Sequence, residues 1–217
     1  MIITFDGQSG TGKSTLATLV AQKLGFLCLN TGMIYRAVSY YFLQKNIAPD
    51  DVDKIEKVLK DINIEISFID NKQYVKVNDV DATPFVSSLQ VQQNVSLYSQ
   101  ILPLREKVTN KQREFALCNN VVVEGRDIGT HVFPNADYKF FIMCDLMVRA
   151  KRRYKDLKNL GQDISLQEVV ESLKNRDILD STRKFSPLKK PENAIIIDTS
   201  NSSIEECVNQ IIGHIAL

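Results

Sequence analysis

Apolar residues in this chain follow two different rhythms. Residues 2–5 (Ile-Ile-Thr-Phe), 26–29 (Phe-Leu-Cys-Leu), 121–123 (Val-Val-Val), 140–143 (Phe-Phe-Ile-Met) and 194–197 (Ala-Ile-Ile-Ile) are short, nearly continuous apolar runs. Runs of this kind mark strands buried on both faces, as in a parallel sheet. Stretches with helical character separate them, over about 13–24, 33–45, 51–61, 145–160, 165–179 and 203–216. Alternation of strand and helix predicts an α/β fold in three layers around a central parallel sheet. The rhythm changes at Ile62, Ile64, Ile66 and Phe68, which recur at every second residue, and again around Tyr74 to Val77. With Asp70-Asn71 between the two segments, this predicts a β-hairpin with one wet face. Pro84 and Pro103 flank a further polar, helix-like stretch. Residues 63–100 thus form a small β-containing insert, while 1–62 and 101–217 make the main domain.

Composition narrows the class. A chain of 217 residues suits one domain with an excursion and is long enough to need no covalent staple. Lys and Arg number 27 against 26 Asp and Glu, a net charge of +1, far from the basicity of a general nucleic-acid binder. No apolar run reaches a bilayer-spanning length, and the N-terminal run is too short and too little flanked by basic residues for a signal peptide. Cys28, Cys118, Cys144 and Cys207 form no CxxC pair, and each is read as a small hydrophobe in an apolar stretch. His131 and His214 are too few for a zinc site. The expectation is a soluble, reduced, cytoplasmic protein without nucleic-acid or membrane partners.

The first chemical signal is Gly7-Gln8-Ser9-Gly10-Thr11-Gly12-Lys13-Ser14, a GxxxxGK[ST] segment followed by Thr15, between a predicted strand and a predicted helix. Glycines let the backbone adopt positive φ, so successive N–H groups can wrap phosphate oxygens at a helix N-terminus. Lys13 can reach the β and γ phosphates, and the Ser14 hydroxyl can ligate Mg²⁺. This predicts a nucleoside triphosphate site.

Three further segments bear on what is done with the triphosphate. Asn30 to Arg36 and Glu124 to Thr130 each follow a buried strand, so both emerge at the carboxyl edge of the sheet, where open α/β sheets bind ligands. Arg36, Arg126, Arg176 and Arg183 stand at predicted strand ends or in loops, a set suited to binding a second anion and an anionic transition state. Asn110-Lys111-Gln112-Arg113 begins like a guanine-reading NKxD but carries Arg where Asp is needed. Glu124, closing a buried strand, keeps a hydrolytic ATPase open. So do the residues for a small-molecule kinase acting on UMP or a non-nucleotide, and for a nucleotide-dependent regulatory module.

Taken in order, the P-loop, the TGxxYR of 31–36, the GRDxGT of 125–130 and the RDxxDSxR of 176–183 resemble the bacterial cytidylate (CMP/dCMP) kinase family, over essentially the whole chain. The resemblance implies transfer of the γ-phosphoryl of ATP, with Mg²⁺, to CMP or dCMP by a monomer. It makes residues 63–100 an NMP-binding insert and about 149–176 a short helical lid. It implies Lys13, Arg126 and Arg176 as catalytic groups. Thr31, Arg36, Arg126 and Arg176 would meet phosphates, Asp180 the pentose hydroxyls, and Ser96, Arg105, Asp127 and Arg183 the base. Cytosine offers an amino donor beside two acceptors, which suits a carboxylate among arginines. Arg149, Arg152 and Arg153 share a helical face, and Arg149 and Arg153 are candidates for the donor phosphates. Glu124, Asn30 and Leu179 depart from the family's usual Asp, acidic residue and Arg.

Overall fold

Five short apolar runs form the parallel sheet of an α/β protein, but only 121–125 is buried at every position; 195–198, predicted to be buried on both faces, alternates between at least partly buried and exposed residues. The computed structural model describes residues 1–159 and 161–216. Residue 160, the end of the predicted helix 145–160, and residue 217 lie outside the described residues. The chain divides into two compact units, residues 1–26 with 122–217 and residues 27–121.

In the first unit β1 (Ile2–Gly7), β6 (Val121–Gly125, all but its first residue in this unit), β7 (Tyr138–Met143) and β8 (Ile195–Asp198) follow the order β6-β1-β7-β8. β1 pairs in parallel with β7, Ile3 opposite Tyr138 and Gly7 opposite Ile142, and β7 with β8, Phe140 opposite Ile195. Ile3, Phe5, Val122, Val123, Phe140 and Ile197 are fully buried, with the Phe5 and Phe140 rings 5.4 Å apart. Helices α1 (Lys13–Leu24), α6 (Leu146–Asn159), α7 (Leu166–Thr182) and α8 (Ile204–Gly213) complete the unit. α6 and α7 pack through Ala150, Leu157, Val169 and Leu173. Reciprocal capping boxes start α7 (Ser165 with Glu168) and α8 (Ser203 with Glu206), so the sequence fixes both helix origins.

The second unit opens with the fifth strand of the sheet, β2 (Leu27–Asn30), followed by α2 (Thr31–Gln44) and α3 (Val52–Asp61). β3 (Ile64–Ile69), β4 (Lys72–Val77) and β5 (Val80–Asp81) form a separate antiparallel sheet. Ile69 pairs with Lys72 around Asp70-Asn71, whose φ values of 49° and 59° are those of a two-residue turn. The hairpin predicted from the two-residue rhythm is therefore present. α4 (Leu89–Tyr98) lies in the polar stretch between the two prolines. Tyr98 is buried against Phe42, and its hydroxyl donates to the Ile47 carbonyl at 2.6 Å.

One long element differs from the sequence reading. α5 (Leu102–Leu117) runs sixteen residues through a region to which no helix is assigned above. Its inward positions include Arg105, Thr109 and Gln112 beside Leu104 and Val108, so the apolar stripe that normally reveals a helix is broken by polar groups. Among the described residues no helix is long and apolar enough to cross a membrane.

Candidate active site

β1 passes into the P-loop at Asp6-Gly7, and the loop ends where α1 begins at Lys13. Gly10 and Gly12 take φ values of 77° and 88°, the left-handed backbone that favours glycine. The loop's carbonyls are occupied by its surroundings. Gln8 O accepts from Thr11 Oγ1 at 3.1 Å and Lys13 Nζ at 2.5 Å, Ser9 O from Arg149 Nη1 at 3.0 Å, and Thr11 O from Thr199 Oγ1 at 2.8 Å. With those oxygens tied back, and no side chain capping the first turn of α1, backbone N–H groups are what the loop can offer an anion.

Lys13 is 5% exposed, and its pKa falls from the ordinary 10.5 to about 7. Burial is the main cause and the Arg126 guanidinium the next; Glu124 opposes them, and Arg176 adds to the depression. Three cationic groups thus converge on one buried place, and the carboxylates of Glu124 and Asp180 beside them do not offset burial and like-charge repulsion at Lys13. Such an arrangement is suited to a polyanion.

The segment after β6 supplies the neighbouring groups. Glu124 Oε1 accepts from the Ser14 hydroxyl at 2.7 Å. A hydroxyl beside a carboxylate is a hard oxygen pair of the kind Mg²⁺ takes together with substrate phosphates. No cluster of three or more His, Cys, Asp or Glu that could hold a metal occurs among the described residues. Arg126 Nε meets Asp180 Oδ2 at 2.8 Å, and Arg183 Nη2 meets Asp127 Oδ1 at 3.1 Å. Arg183 also donates to the Ser186 carbonyl, through Nε at 2.7 Å and through Nη2. Burial would raise the Asp180 pKa, but Arg126, Arg176 and Arg183 together hold it below the usual carboxylate value. The fold of the first unit therefore brings Lys13, Glu124, Arg126, Arg176, Asp180, Asp127 and Arg183 into one electrostatic cluster.

The remaining predicted substrate residues lie in the second unit. Asn30 caps α2 by accepting from the Met33 N–H at 2.8 Å, which sets Thr31 at the helix start and Arg36 just over one turn later; Arg36 on α2 and Arg176 on α7 thus stand on helices and not, as expected from the sequence, at strand ends or in loops. A side chain at Gly32 would lie 3.4 Å from Arg36 Nη1, so glycine leaves room for that guanidinium. Arg105, 1% exposed on α5, donates from Nη1 to the Ser99 carbonyl at 2.9 Å and stacks 5.6 Å from the centre of the Tyr35 ring. Ser96 is half-buried on α4, its carbonyl accepting from Ser99 Oγ and the Gln100 amide, each at 3.1 Å.

Several groups of this site carry no sequence motif of their own. Asp6 is fully buried and accepts from the N–H groups of Ile128 and Gly129, each at 2.7 Å. Thr199 accepts through its carbonyl from Arg152 Nη2 at 2.7 Å, and Asp177, inside the 176–183 motif but given no role there, pairs with Arg149 at 2.8 Å. The hint for Asp6 is the one used for Glu124, a carboxylate closing an apolar strand. Arg149 is 3% exposed and also donates from Nε to the Cys144 carbonyl at 3.2 Å, so its guanidinium is engaged with the protein at Ser9, Cys144 and Asp177. Arg153 is half-buried and His131 exposed. Cys118, read above as an apolar residue, is exposed at the C-terminal end of α5.

The sequence profile of the cytidylate kinases matches residues 3–217. A cytidylate kinase of Fusobacterium nucleatum subsp. nucleatum is 43% identical over 211 residues, 97% of this chain and 95% of that protein. One from Halalkalibacterium halodurans is 41% identical, with 99% of this chain and 97% of that protein covered. Among solved structures, an uncharacterised protein from Eubacterium ventriosum aligns over 99% of this chain and 97% of its own, with a TM-score of 0.54 at 13% identity. At that identity the likeness shows the α/β fold alone. The profile match from residue 3 to the C-terminus, with the near-full-length relatives, establishes that the chain belongs to the cytidylate kinase family.

Proposed function

We propose that the chain transfers the γ-phosphoryl group of ATP to CMP or dCMP, giving ADP and CDP or dCDP. The observation that carries this reading is the convergence of Arg126 and Arg176 on the buried ammonium of Lys13, against its own protonation. A polyanion bound there adds negative charge beside Lys13, favours its protonated form and offsets the repulsion from the two arginines. Phosphoryl transfer gathers charge on the transferring group, so this pocket stabilises the transition state chiefly by position and charge.

Residues 7–15 hold the triphosphate, with Lys13 on its β and γ groups. Ser14, with Glu124 beside it, would hold the Mg²⁺ that neutralises those phosphates when bound. Arg153 on α6 meets the donor nucleotide, while Arg149 acts on it through the P-loop by its bond to the Ser9 carbonyl. Arg126, Arg176 and, from the second unit, Thr31 and Arg36 take the acceptor phosphate. Asp180 accepts from the pentose hydroxyls, and Ser96, Arg105, Asp127 and Arg183 meet the cytosine. The acceptor arrives with an ionised phosphate oxygen as nucleophile, so no side chain need act as a strong base. Residues 63–100 are the proposed NMP-binding insert, within the second unit, and about 149–176 the proposed lid. We place the enzyme in the cytoplasm as a monomer.

A coupled assay of ADP release with CMP, dCMP, UMP, AMP and shikimate tests the reading. Turnover dependent on CMP or dCMP, with the others far slower, is the expected result. Turnover of ATP unchanged by any acceptor would replace the kinase with a nucleotide-dependent ATPase, and a preference for UMP or shikimate would overturn the acceptor assignment.

A further inference from the structure

The Arg126–Asp127 segment is fastened from two directions. Toward α7 and the segment after it, Arg126 pairs with Asp180 and Asp127 with Arg183. Toward β1, the next two residues along the chain give their backbone N–H groups to one carboxylate. Ile128 donates to Asp6 Oδ1 and Gly129 to Asp6 Oδ2, both at 2.7 Å. These N–H groups open the short helical turn Ile128–Val132, whose own bonds begin at the Asp127 carbonyl, which accepts from His131 at 2.9 Å and Val132 at 3.1 Å. A carboxylate at that end satisfies donors the turn cannot satisfy itself and meets its positive pole.

The close approach depends on Gly129. A Cβ there would lie 2.9 Å from Pro191 Cγ, 2.9 Å from Thr4 Oγ1 and 3.1 Å from Asp6 Oδ2. Any side chain would therefore push the loop off the carboxylate. The carboxylate is also expensive to keep. It has no exposure, and burial pushes its pKa up to about 6 despite the two N–H donors, with Asp127 adding to the rise and Lys13 opposing it. A protein that only needed to cover a turn could do so with a neutral group.

We infer that Asp6 is a positioning residue for acceptor recognition, holding the backbone at Ile128 and Gly129 so that Arg126 and Asp127 are presented to the acceptor nucleotide. This rests on the assignment of Arg126 and Asp127 to the acceptor. Asp6 touches no substrate. Its effect passes through the loop, whereas the P-loop that leaves the same strand at Gly7 is held by its own bonds to Lys13, Arg149 and Thr199. Loss of the carboxylate should thus separate the two substrates kinetically.

The test uses the full chain, with ADP release measured against CMP at saturating ATP, and Mg·ATP affinity measured by calorimetry without acceptor. Asp6→Asn keeps the shape but turns an NH₂ toward one of the two N–H donors. Its KM for CMP should rise about tenfold or more and its kcat fall, as expected for loss of a charge-assisted contact. The Kd for ATP should stay within about twofold, and tighten if it moves at all, because a negative charge near Lys13 has gone. Gly129→Ala, with Asp6 intact, should give the same split. The double variant should be little worse than the poorer single one, because both break a single link. Amide exchange at Ile128 and Gly129 should be slow in the wild type and accelerated in either variant; should Asp6→Asn not fold, Gly129→Ala and these amides decide. Equal weakening of ATP and CMP, an unchanged KM for CMP, multiplicative single effects, or unprotected amides in the wild type would overturn the inference. Wild-type protein that fails to phosphorylate CMP would instead overturn the functional reading beneath it.

Discussion

Replacing Lys13 by Met should make the ligand-free protein more stable while removing its activity. In the folded chain the ammonium is buried against Arg126 and Arg176, and its pKa falls from 10.5 to about 7. A folded pKa below the unfolded one means that the unfolded chain binds the proton more tightly between those two values. The stability cost is therefore nil above pH 10.5, accumulates as pH falls, and is complete below about pH 7, where the full shift corresponds to about 5 kcal/mol. Met fills a similar volume without charge but gives up the bonds of Nζ to the Gln8 carbonyl and Thr11 Oγ1. Those losses leave a net gain of about 2–4 kcal/mol at pH 7. For a chain of this length that is a rise in Tm of roughly 5–10 °C, shrinking to within a few degrees of zero at pH 9, where the charge cost has fallen to about 2 kcal/mol and the lost Nζ bonds nearly cancel it. Thermal melts of both proteins from pH 6 to pH 9 without nucleotide measure this directly. In the coupled assay with CMP, kcat should drop by about 10²–10³, as when one preorganised donor to a transition state is removed. A variant that melts below wild type at pH 7, or a difference that does not change with pH, would refute the electrostatic argument. Near-normal kcat would refute the catalytic one.

Three other substitutions test separate parts of the site. Asp127→Asn can still offer an oxygen to the cytosine amine but can also turn an NH₂ toward uracil, so the CMP over UMP ratio of kcat/KM should narrow by about tenfold, about 1.4 kcal/mol. An equal fall with both acceptors would assign Asp127 to phosphate or metal geometry. Asp180→Ala should raise KM for CMP by roughly 10–150-fold and leave KM for ATP alone, the equivalent of one charge-assisted hydrogen bond; a rise for ATP only would contradict the pentose assignment. Asp177→Ala strands the buried Arg149 charge and should cost about 3–5 kcal/mol, seen as a Tm lowered by about 10 °C. A melt within 2 °C of wild type, about 1 kcal/mol or less, would show that the pair does not hold α6 to α7.

How far the sequence reveals this molecule depends on which kind of signal each part emits. The strands at Val121–Val123, Phe140–Met143 and Ile195–Ile197 are legible as short apolar runs, although only the first is buried on both faces and Ile196 is 47% exposed, and the hairpin because Asp70-Asn71 can take the left-handed backbone its turn requires. α5 is not legible, since Arg105, Thr109 and Gln112 occupy its inner face and erase the apolar period. The P-loop is read with its correct helix start because glycine, lysine and hydroxyl at fixed spacing meet a local geometric need. Asp6 and Thr199 escape because their partners lie 122 and 188 residues away in the chain, and no local pattern encodes such contacts; Asp177 lies within the 176–183 motif, but its tie to Arg149, 28 residues away, is equally invisible there. Arg149 shows the opposite failure. Spacing alone groups it with Arg152 and Arg153 on one helix face, yet its surroundings turn it inward to Ser9 and Asp177, and those of Arg152 turn it to Thr199.

Asp6 and Lys13 frame the P-loop and are displaced in opposite senses. The carboxyl is pushed up to about 6 and the ammonium down to about 7, so each is held in the charged form only against resistance from burial. If the two served mainly to neutralise each other, their values would instead move apart, the carboxyl down and the ammonium up. The pull of Lys13 on the Asp6 carboxyl is small beside its desolvation. Each charge is therefore maintained for something other than its partner. For Asp6 the beneficiary is inside the protein, two N–H groups of the loop that carries Arg126 and Asp127. For Lys13 the protein offers direct bonds to the Gln8 carbonyl and the Thr11 hydroxyl, neither of them charged, and the pull of Glu124 and Asp180 does not overcome burial and two arginines that repel it. A polyanion bound at the P-loop would add the further negative charge that tips Lys13 back to its protonated form. Nucleotide binding at pH 8 should then return a proton to Lys13, and calorimetry of Mg·ATP binding in buffers of different ionisation enthalpy should register proton uptake. Proton release, or none, would place the charge compensation elsewhere.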